Sequence, residues 1–155
     1  MNTPGSTPTL RPASLDDAEA IAALATQLGY PTTTEQAVER LKQLLQIPDH
    51  SILLAEMDGS IAGWAHVERR VNLESGDRAE LMGLVVDAQF RRAGIGKRLV
   101  EAVEIWAASR DLHVMVVRSN AAREASHVFY RRLGYEFIKT QHVYQKALRE
   151  HAHRA

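Results

Sequence analysis

The sequence predicts an α+β (mixed α/β) fold, with a central sheet whose faces are covered by helices. Short runs rich in Val, Ile and Leu, typical of strands, alternate with longer runs whose apolar residues recur at helical spacing. The resulting order is β-α-α-β-β-β-α-β-α-β-β, which favours a sheet packed against helices. With 155 residues, of which 45% are hydrophobic and 25% charged, we expect one domain over residues 9–148, between flexible tails at 1–8 and 149–155.

Local signals place the first elements. Ser14 with Asp17 three residues later has the spacing of a helix start, and Gly29 ends the helix that follows. Thr32 and Glu35 have the spacing of a capping box for a second helix. The strands are predicted at residues 9–13, 51–57, 60–71, 78–87, 112–117, 135–140 and 142–148, and the helices at 16–28, 32–45, 94–110 and 122–133.

The middle and the end of the chain show equally local signals. Asp58-Gly59 between two β-like runs predicts a hairpin with a type I′ turn. Further on, Ile95, Leu99 and Val103 follow the apolar stripe of an amphipathic helix. The last two runs, "YEFIKT" and "HVYQKAL", are predicted to close the sheet as an antiparallel pair.

Charge and composition exclude several classes of function. Nineteen Lys and Arg balance nineteen Asp and Glu, so no overall field attracts nucleic acid or an anionic membrane. The absence of cysteine excludes disulfides, thiolate metal sites and a cysteine nucleophile, and it fits a reducing compartment. Neither a secretory signal nor a membrane-spanning run is evident, so we expect a cytoplasmic protein.

The stretch "QFRRAGIGKR" is a candidate anion-binding turn. It lies between a predicted strand and a predicted helix, where free backbone N–H groups and the helix dipole favour phosphate. Gly94 and Gly96 would let a phosphate approach the backbone, and Arg91, Arg92 and Lys97 add positive charge. The Rossmann and Walker patterns both fail here. The alternative is a solvated basic helix start beside a glycine turn.

Two stretches together resemble a known superfamily. "VVDAQFRRAGIGKRLVEAVEIWA" is similar to the central Arg/Gln-x-x-Gly-x-Gly/Ala motif of the GNAT acyl-coenzyme A N-acyltransferases, and "AREASHVFYRRLGYEF" resembles their later helix. The resemblance covers residues 9–148 and implies a mostly antiparallel twisted sheet flanked by about four helices. It also implies acetyl transfer from acetyl-CoA to a primary amine of a small molecule, by direct attack without a covalent enzyme intermediate.

The resemblance assigns a set of acetyl-CoA contacts. The fourth strand would diverge from the fifth, leaving backbone groups free to pair with the pantetheine arm and to polarise the thioester carbonyl. Two residues depart from the usual pattern, since Arg92 replaces a common glycine and Arg123 a common asparagine. The implied cofactor-binding residues are Leu84, Val85, Val86, Arg91, Arg92, Ala93, Gly94, Ile95, Gly96, Lys97, Asn120, Arg123 and Ser126.

Glu80 and Tyr130 are the candidate catalytic residues. A protonated amine must lose a proton before it attacks, and Glu80 matches the glutamate that several superfamily members use as a general base. Period-two alternation would place Glu80 on the same strand face as Leu84. Tyr130 matches the tyrosine that protonates the leaving thiolate. The alternatives are a solvated glutamate at a strand end and a core tyrosine, and His66 or His127 would be the next base to test.

The acceptor site is the least defined part. Trp64, His66 and Glu68 alternate onto one face of the third strand, and Tyr30 lies in the loop between the first two helices, so we expect these four residues to bind the acceptor. The alternative is a core Trp64 and a solvated Glu68. No metal site is expected, because the other histidines lack acid or cysteine ligands at metal spacing. The acceptor could be a polyamine, an amino acid, an aminophosphonate or a protein lysine.

Two broader expectations concern turnover and the oligomeric state. The alternative to an acetyltransferase is a non-catalytic acyl-CoA binding or regulatory module that has lost turnover. By analogy of fold, a homodimer is expected, with "HVYQKAL" as a strand available for pairing.

Overall fold

The computed structural model describes residues 7–91, 93–119 and 122–149. These residues form two compact units, one ending at Arg118 and the other beginning at Ser119. Most of the two predicted tails lies outside the described residues. Within the described ranges, no helix has the length and apolar character that crossing a bilayer requires.

A five-stranded sheet forms the centre of the first unit. Its strands run in the order β1-β2-β3-β4-β5, with antiparallel neighbours up to β4 and a parallel pair between β4 and β5. This confirms the predicted α+β fold with a mostly antiparallel sheet. The elements are β1 (Thr9–Pro12), α1 (Ala18–Leu28), α2 (Thr34–Leu44), β2 (His50–Met57), β3 (Ser60–Asn72), β4 (Gly76–Val86), α3 (Ile95–Ala108) and β5 (Met115–Val117).

The local turn and capping signals act largely as predicted. Asp58 and Gly59 have φ angles of 53° and 80°, as a type I′ turn between β2 and β3 requires. The capping box of α2 lies one residue later than expected. The Thr33 N–H donates to Gln36 Oε1 at 3.0 Å and the Gln36 N–H donates to Thr33 Oγ1 at 3.1 Å.

Helices cover both faces of the sheet. On one face, a Cβ added to Gly63 would lie 3.3 Å from Leu99 Cδ1 and 3.4 Å from Ile95 Cγ2, so the missing side chain lets α3 approach closely. On the other face, α1 and α2 form an apolar cluster against which Ile52 of β2 packs. The buried members of that cluster are Ala18, Ala22, Ala37 and Leu41.

A β-bulge in β4 changes which side chains share a face. His66 of β3 pairs with Gly83, whereas the next residue, Val67, pairs with Leu81. Met82 is therefore an extra residue in β4, and the alternation of side chains shifts by one position there.

The prediction that Glu80 and Leu84 share a face is wrong. Glu80 lies opposite Glu68 and Leu84 lies opposite Ala65. Ala65 and Glu68 are three positions apart in β3, so they and their partners point to opposite sides of the sheet. The bulge brings Glu80 to the α1 and α2 side and Leu84 to the α3 side.

The described residues of the second unit form one helix, α4 (Glu124–Arg132). The two predicted closing strands are wrong for this structure, since the described residues from 133 to 149 adopt no strand. Alternation shows which side chains could share a face, but a strand also needs a hydrogen-bonded neighbour. The apolar side chains in these two runs are exposed instead, with Val143 at 92% and Tyr144 at 89%.

Candidate active site

The turn between β4 and α3 has the backbone of an anion site. Gly94 adopts a left-handed conformation, with φ of 78° and ψ of 11°, directly before the first residue of α3. Among the described residues other than its two chain neighbours, no atom lies within 4 Å of the position that a Cβ would occupy, so backbone conformation rather than crowding favours glycine here. The first N–H groups of α3 have no acceptor inside the helix and lie at its positive end. This turn can therefore bind a phosphate group.

The charged residues of the turn lie at the surface. Arg91 and Lys97 are exposed, whereas the Ile95 side chain is buried in the core below α3. The Ile95 side chain therefore packs in the core, while its backbone N–H belongs to the first turn of the helix. Arg92, the other predicted phosphate ligand, lies outside the described residues. The remaining predicted residues of the turn are Ala93, Gly94 and Gly96.

The end of β4 has a backbone edge that β5 does not pair. The parallel ladder with β5 ends at Leu81, whereas β4 continues to Val86. On the opposite side, the Asp87 N–H donates to Ala62 O at 2.7 Å. Because the backbone groups of antiparallel strands alternate in direction, Leu84 and Val86 direct their N–H and C=O groups away from β3. β5 itself ends at Val117, so this part of β4 extends beyond the end of its parallel neighbour. The divergence of the fourth and fifth strands stays a prediction.

Glu80 is a buried carboxylate in the middle of β4. It is 4% exposed, so the alternative of a solvated glutamate at a strand end is wrong. Arg118 Nη2 lies 3.5 Å from Oε1, and Arg70 Nη1 lies 4.0 Å from Oε2. Two arginines that sequence analysis did not single out therefore balance this charge. Their contacts with Glu80 could not be predicted, because they depend on strand register, which no local sequence pattern indicates.

A second carboxylate lies directly opposite. Glu68 of β3 pairs across the sheet with Glu80, and its Oε1 accepts a hydrogen bond from Arg70 Nη1 at 2.8 Å. This bond raises the pKa of Arg70. Like charges placed opposite each other repel, so the shared arginine stabilises the pair. The result is a strongly polar patch on the α1 and α2 side of the sheet.

Glu68 also belongs to a hydrogen-bonded row with two histidines. His50 Nε2 lies 2.9 Å from Glu68 Oε2, and His50 Nδ1 lies 3.0 Å from His66 Nε2. Because an ionised carboxylate only accepts, His50 Nε2 donates to Glu68, and the two imidazole rings share the second hydrogen bond. Burial lowers the pKa of His66, and the neighbouring His50 lowers it further. His50 was missed because it is on β2, and only strand pairing reveals its partners.

Trp64 lies on the same face as His66 and Glu68. A Cβ added to Gly83 would lie 2.9 Å from Trp64 Cζ3, so the indole covers this glycine. The Trp64 Nε1 atom is buried without a hydrogen-bond partner among the described residues. Tyr30, predicted to join this group, is 62% exposed in the loop between α1 and α2.

Tyr130 lies on α4, in the second unit. Burial raises its pKa to about 12. Its ring makes edge-to-face contacts with Phe129 and Tyr135, with centroids 5.1 and 5.9 Å apart. Arg123 directly precedes α4 and Ser126 is half-buried in its first turn, whereas Asn120 lies outside the described residues.

Comparison with known proteins shows the family to which the chain belongs. The model of the acetyltransferase (GNAT) family matches residues 17–135, more than half of the chain. An aminoglycoside N(6')-acetyltransferase type 1 of Stenotrophomonas maltophilia is 29% identical over 136 residues, covering 84% of this chain and 88% of that protein. A protein of the same name from Serratia marcescens is 28% identical over 140 residues, covering 86% and 94%.

A solved structure supports the same fold. Aminoglycoside N-acetyltransferase AAC(6')-Iy, determined in complex with CoA, superposes with a TM-score of 0.82 at 23% identity, covering 92% of this chain and 96% of that one. The chain is thus an acyltransferase by fold and sequence. It belongs to the acetyltransferase (GNAT) family. Its reaction is the transfer of an acetyl group from acetyl-CoA to an amine.

Proposed function

We propose that this enzyme acetylates an amino group of a small molecule that carries several ammonium groups, of the aminoglycoside class. The observation that carries the proposal is the pair of carboxylates on one sheet face, the 4% exposed Glu80 and Glu68 directly opposite. Carboxylates bind ammonium groups through charge-assisted hydrogen bonds. The names of both relatives support an aminoglycoside as the acceptor.

The donor would bind along β4 and the turn that follows it. The backbone of Gly94 and the first turn of α3, with the exposed Arg91 and Lys97, would bind the pyrophosphate. The outward-directed backbone groups of Leu84 and Val86 would pair with the amides of the pantetheine arm. Contacts with Arg92, Asn120, Arg123 and Ser126 stay predictions.

The chemistry requires two proton transfers of opposite direction. The amine nitrogen attacks the thioester carbonyl carbon, and Glu80 accepts the proton that the nitrogen loses. As the carbon–sulfur bond breaks, Tyr130 donates its proton to the sulfur. A phenol with a pKa of about 12 stays protonated in neutral solution, so the proton is available for this step. The products are the N-acetylated amine and free CoA.

Acceptor recognition would use the same face of the sheet. Trp64 offers an apolar surface beside the two carboxylates, and His66 and Glu68 offer polar contacts. Tyr30, which is exposed in the loop between α1 and α2, is proposed to contact the acceptor as well.

The test measures acetyl transfer to two matched acceptors, and the release of the CoA thiol is the readout. We expect turnover with an aminoglycoside that has an amine at its 6' position. The matched compound with a hydroxyl there should give little thiol. Equal and slow release with every amine and with no amine would contradict the proposal.

A homodimer and a cytoplasmic location are proposed with it. The exposed apolar side chains of Val143, Tyr144 and Leu148 support an interface near the C-terminal end. Light scattering at micromolar concentration tests the dimer, and a strictly monomeric mass would contradict it. Cell fractionation tests the location.

A further inference from the structure

Three side chains of neighbouring strands converge on one point of the sheet. His50 of β2 lies directly opposite Glu68 of β3, and His66 is two residues before Glu68 on the same face. One potential ligand atom from each of the three lies within 4.8 Å of those of the other two. The side chains of His50 and Glu68 are only 13% and 12% exposed.

We propose that His50, His66 and Glu68 bind one divalent zinc ion. Two imidazoles and one carboxylate are a ligand set that Zn²⁺ accepts, with further positions left for water. Zinc lies about 2.0–2.2 Å from such ligands, so tetrahedral ligand atoms are roughly 3.4 Å apart. The ligand atoms, which lie within 4.8 Å of one another, would have to approach by up to about 1.4 Å to reach this geometry.

The surroundings favour binding in two ways. Cross-strand pairing of β2 and β3 holds the three Cα atoms in place before any ion arrives, so little order has to be created. Arg70 holds Glu68 Oε1, which orients the carboxylate and leaves Oε2 on the histidine side.

Zinc would replace the hydrogen bonds of the row. The His50–His66 and His50–Glu68 bonds, at 3.0 and 2.9 Å, join the same side chains that the ion would join. Binding would therefore link β2 to β3 more strongly and stabilise the folded chain. This inference does not rest on the identity of the acceptor, although His66 and Glu68 also belong to the proposed acceptor face, and it opposes the sequence-based expectation of no metal site.

The experiment is calorimetric titration of zinc chloride into the full chain without an affinity tag. We expect one ion per chain and a rise in melting temperature. His50→Ala and the conservative Glu68→Gln should each weaken binding by at least about tenfold. His151 and His153, outside the described residues, are the other close histidine pair in the sequence. Their double alanine variant is the matched control and should bind as wild type does.

Folding is monitored by circular dichroism, so that loss of the ion is distinguished from loss of structure. Cobalt chloride gives a second readout, because coordination by imidazole would produce visible absorption that is stronger in wild type than in His50→Ala at equal cobalt concentration. No binding by wild type at millimolar zinc would overturn the proposal. Binding that survives His50→Ala and Glu68→Gln, or that is lost in the His151 and His153 double variant, would overturn it equally.

Discussion

Replacing Glu80 by glutamine tests the proposed general base. The substitution keeps the shape of a side chain that is 4% exposed but removes its ability to accept a proton. General-base assistance is worth about 10²-fold or more, so kcat should fall by at least about 100-fold, a loss of about 2.7 kcal/mol in transition-state stabilisation. Acetyl-CoA affinity should be nearly unchanged, because the donor is proposed to bind through the backbone of β4 and the turn after it.

The same substitution should cost little stability. Its two ionic partners, Arg118 and Arg70, have side chains that are 57% and 45% exposed, so water can solvate them once the carboxylate is gone. We expect a loss of about 1 kcal/mol or less in the free energy of unfolding. A large loss of stability would mean that Glu80 is chiefly structural.

The assay is a pH–rate profile of thiol release at saturating acetyl-CoA, with urea unfolding of the same preparations. Glu101→Gln is the matched control, since Glu101 is exposed on α3, and it should keep full kcat. If Glu80→Gln keeps full kcat across neutral pH, another group is the base or the amine arrives neutral.

Four further substitutions test other parts of the structure. Burial raises the pKa of Tyr130 to about 12, so the phenol stays protonated and wild-type kcat should not fall up to about pH 10. Tyr130→Phe should lower kcat at every pH. A wild-type decline with an apparent pKa near 10 would contradict this. Gly94→Ala should lower the free energy of urea unfolding by about 1 kcal/mol, because residue 94 has a positive φ. Arg91→Glu should lose most of the roughly 2.7 kcal/mol of stabilisation that acetyl-CoA at 100 times its Kd provides. An unchanged value would refute the role assigned to that residue. Arg11 lowers the pKa of Asp17, so this ion pair stabilises the fold above the usual carboxyl pKa of about 4 and loses its effect as pH falls through the lowered value. Asp17→Asn should therefore cost about 1–2 kcal/mol at pH 7 and progressively less in acid, and a pH-independent difference would contradict this.

Features with local causes could be predicted from the sequence. The Asp58-Gly59 turn is predictable because two adjacent residues with positive φ define it, and the glycine turn is predictable because the positive φ of Gly94 favours glycine at that position. The buried stripe of Ile95 and Leu99 follows from helical spacing alone. In each case the physical cause lies within a few residues of the effect.

Features that depend on pairing could not be predicted. The extra residue Met82 has no compositional signal, yet it decides which face Glu80 occupies. His50 shows its relation to Glu68 only through the register of β2 with β3. The prediction of two closing strands was wrong for a similar reason, because an alternating pattern does not supply a neighbouring strand for hydrogen bonding.

The central claim is direct transfer of the acetyl group from acetyl-CoA to the acceptor amine. The measurement is mass spectrometry after incubation with acetyl-CoA labelled with carbon-13 in its acetyl group and an aminoglycoside with a 6'-amine. We predict one labelled acetyl group on the aminoglycoside amine, an unlabelled protein, and loss of the labelled product in Glu80→Gln. Label on the protein, or free labelled acetate with an unmodified aminoglycoside, would contradict the claim.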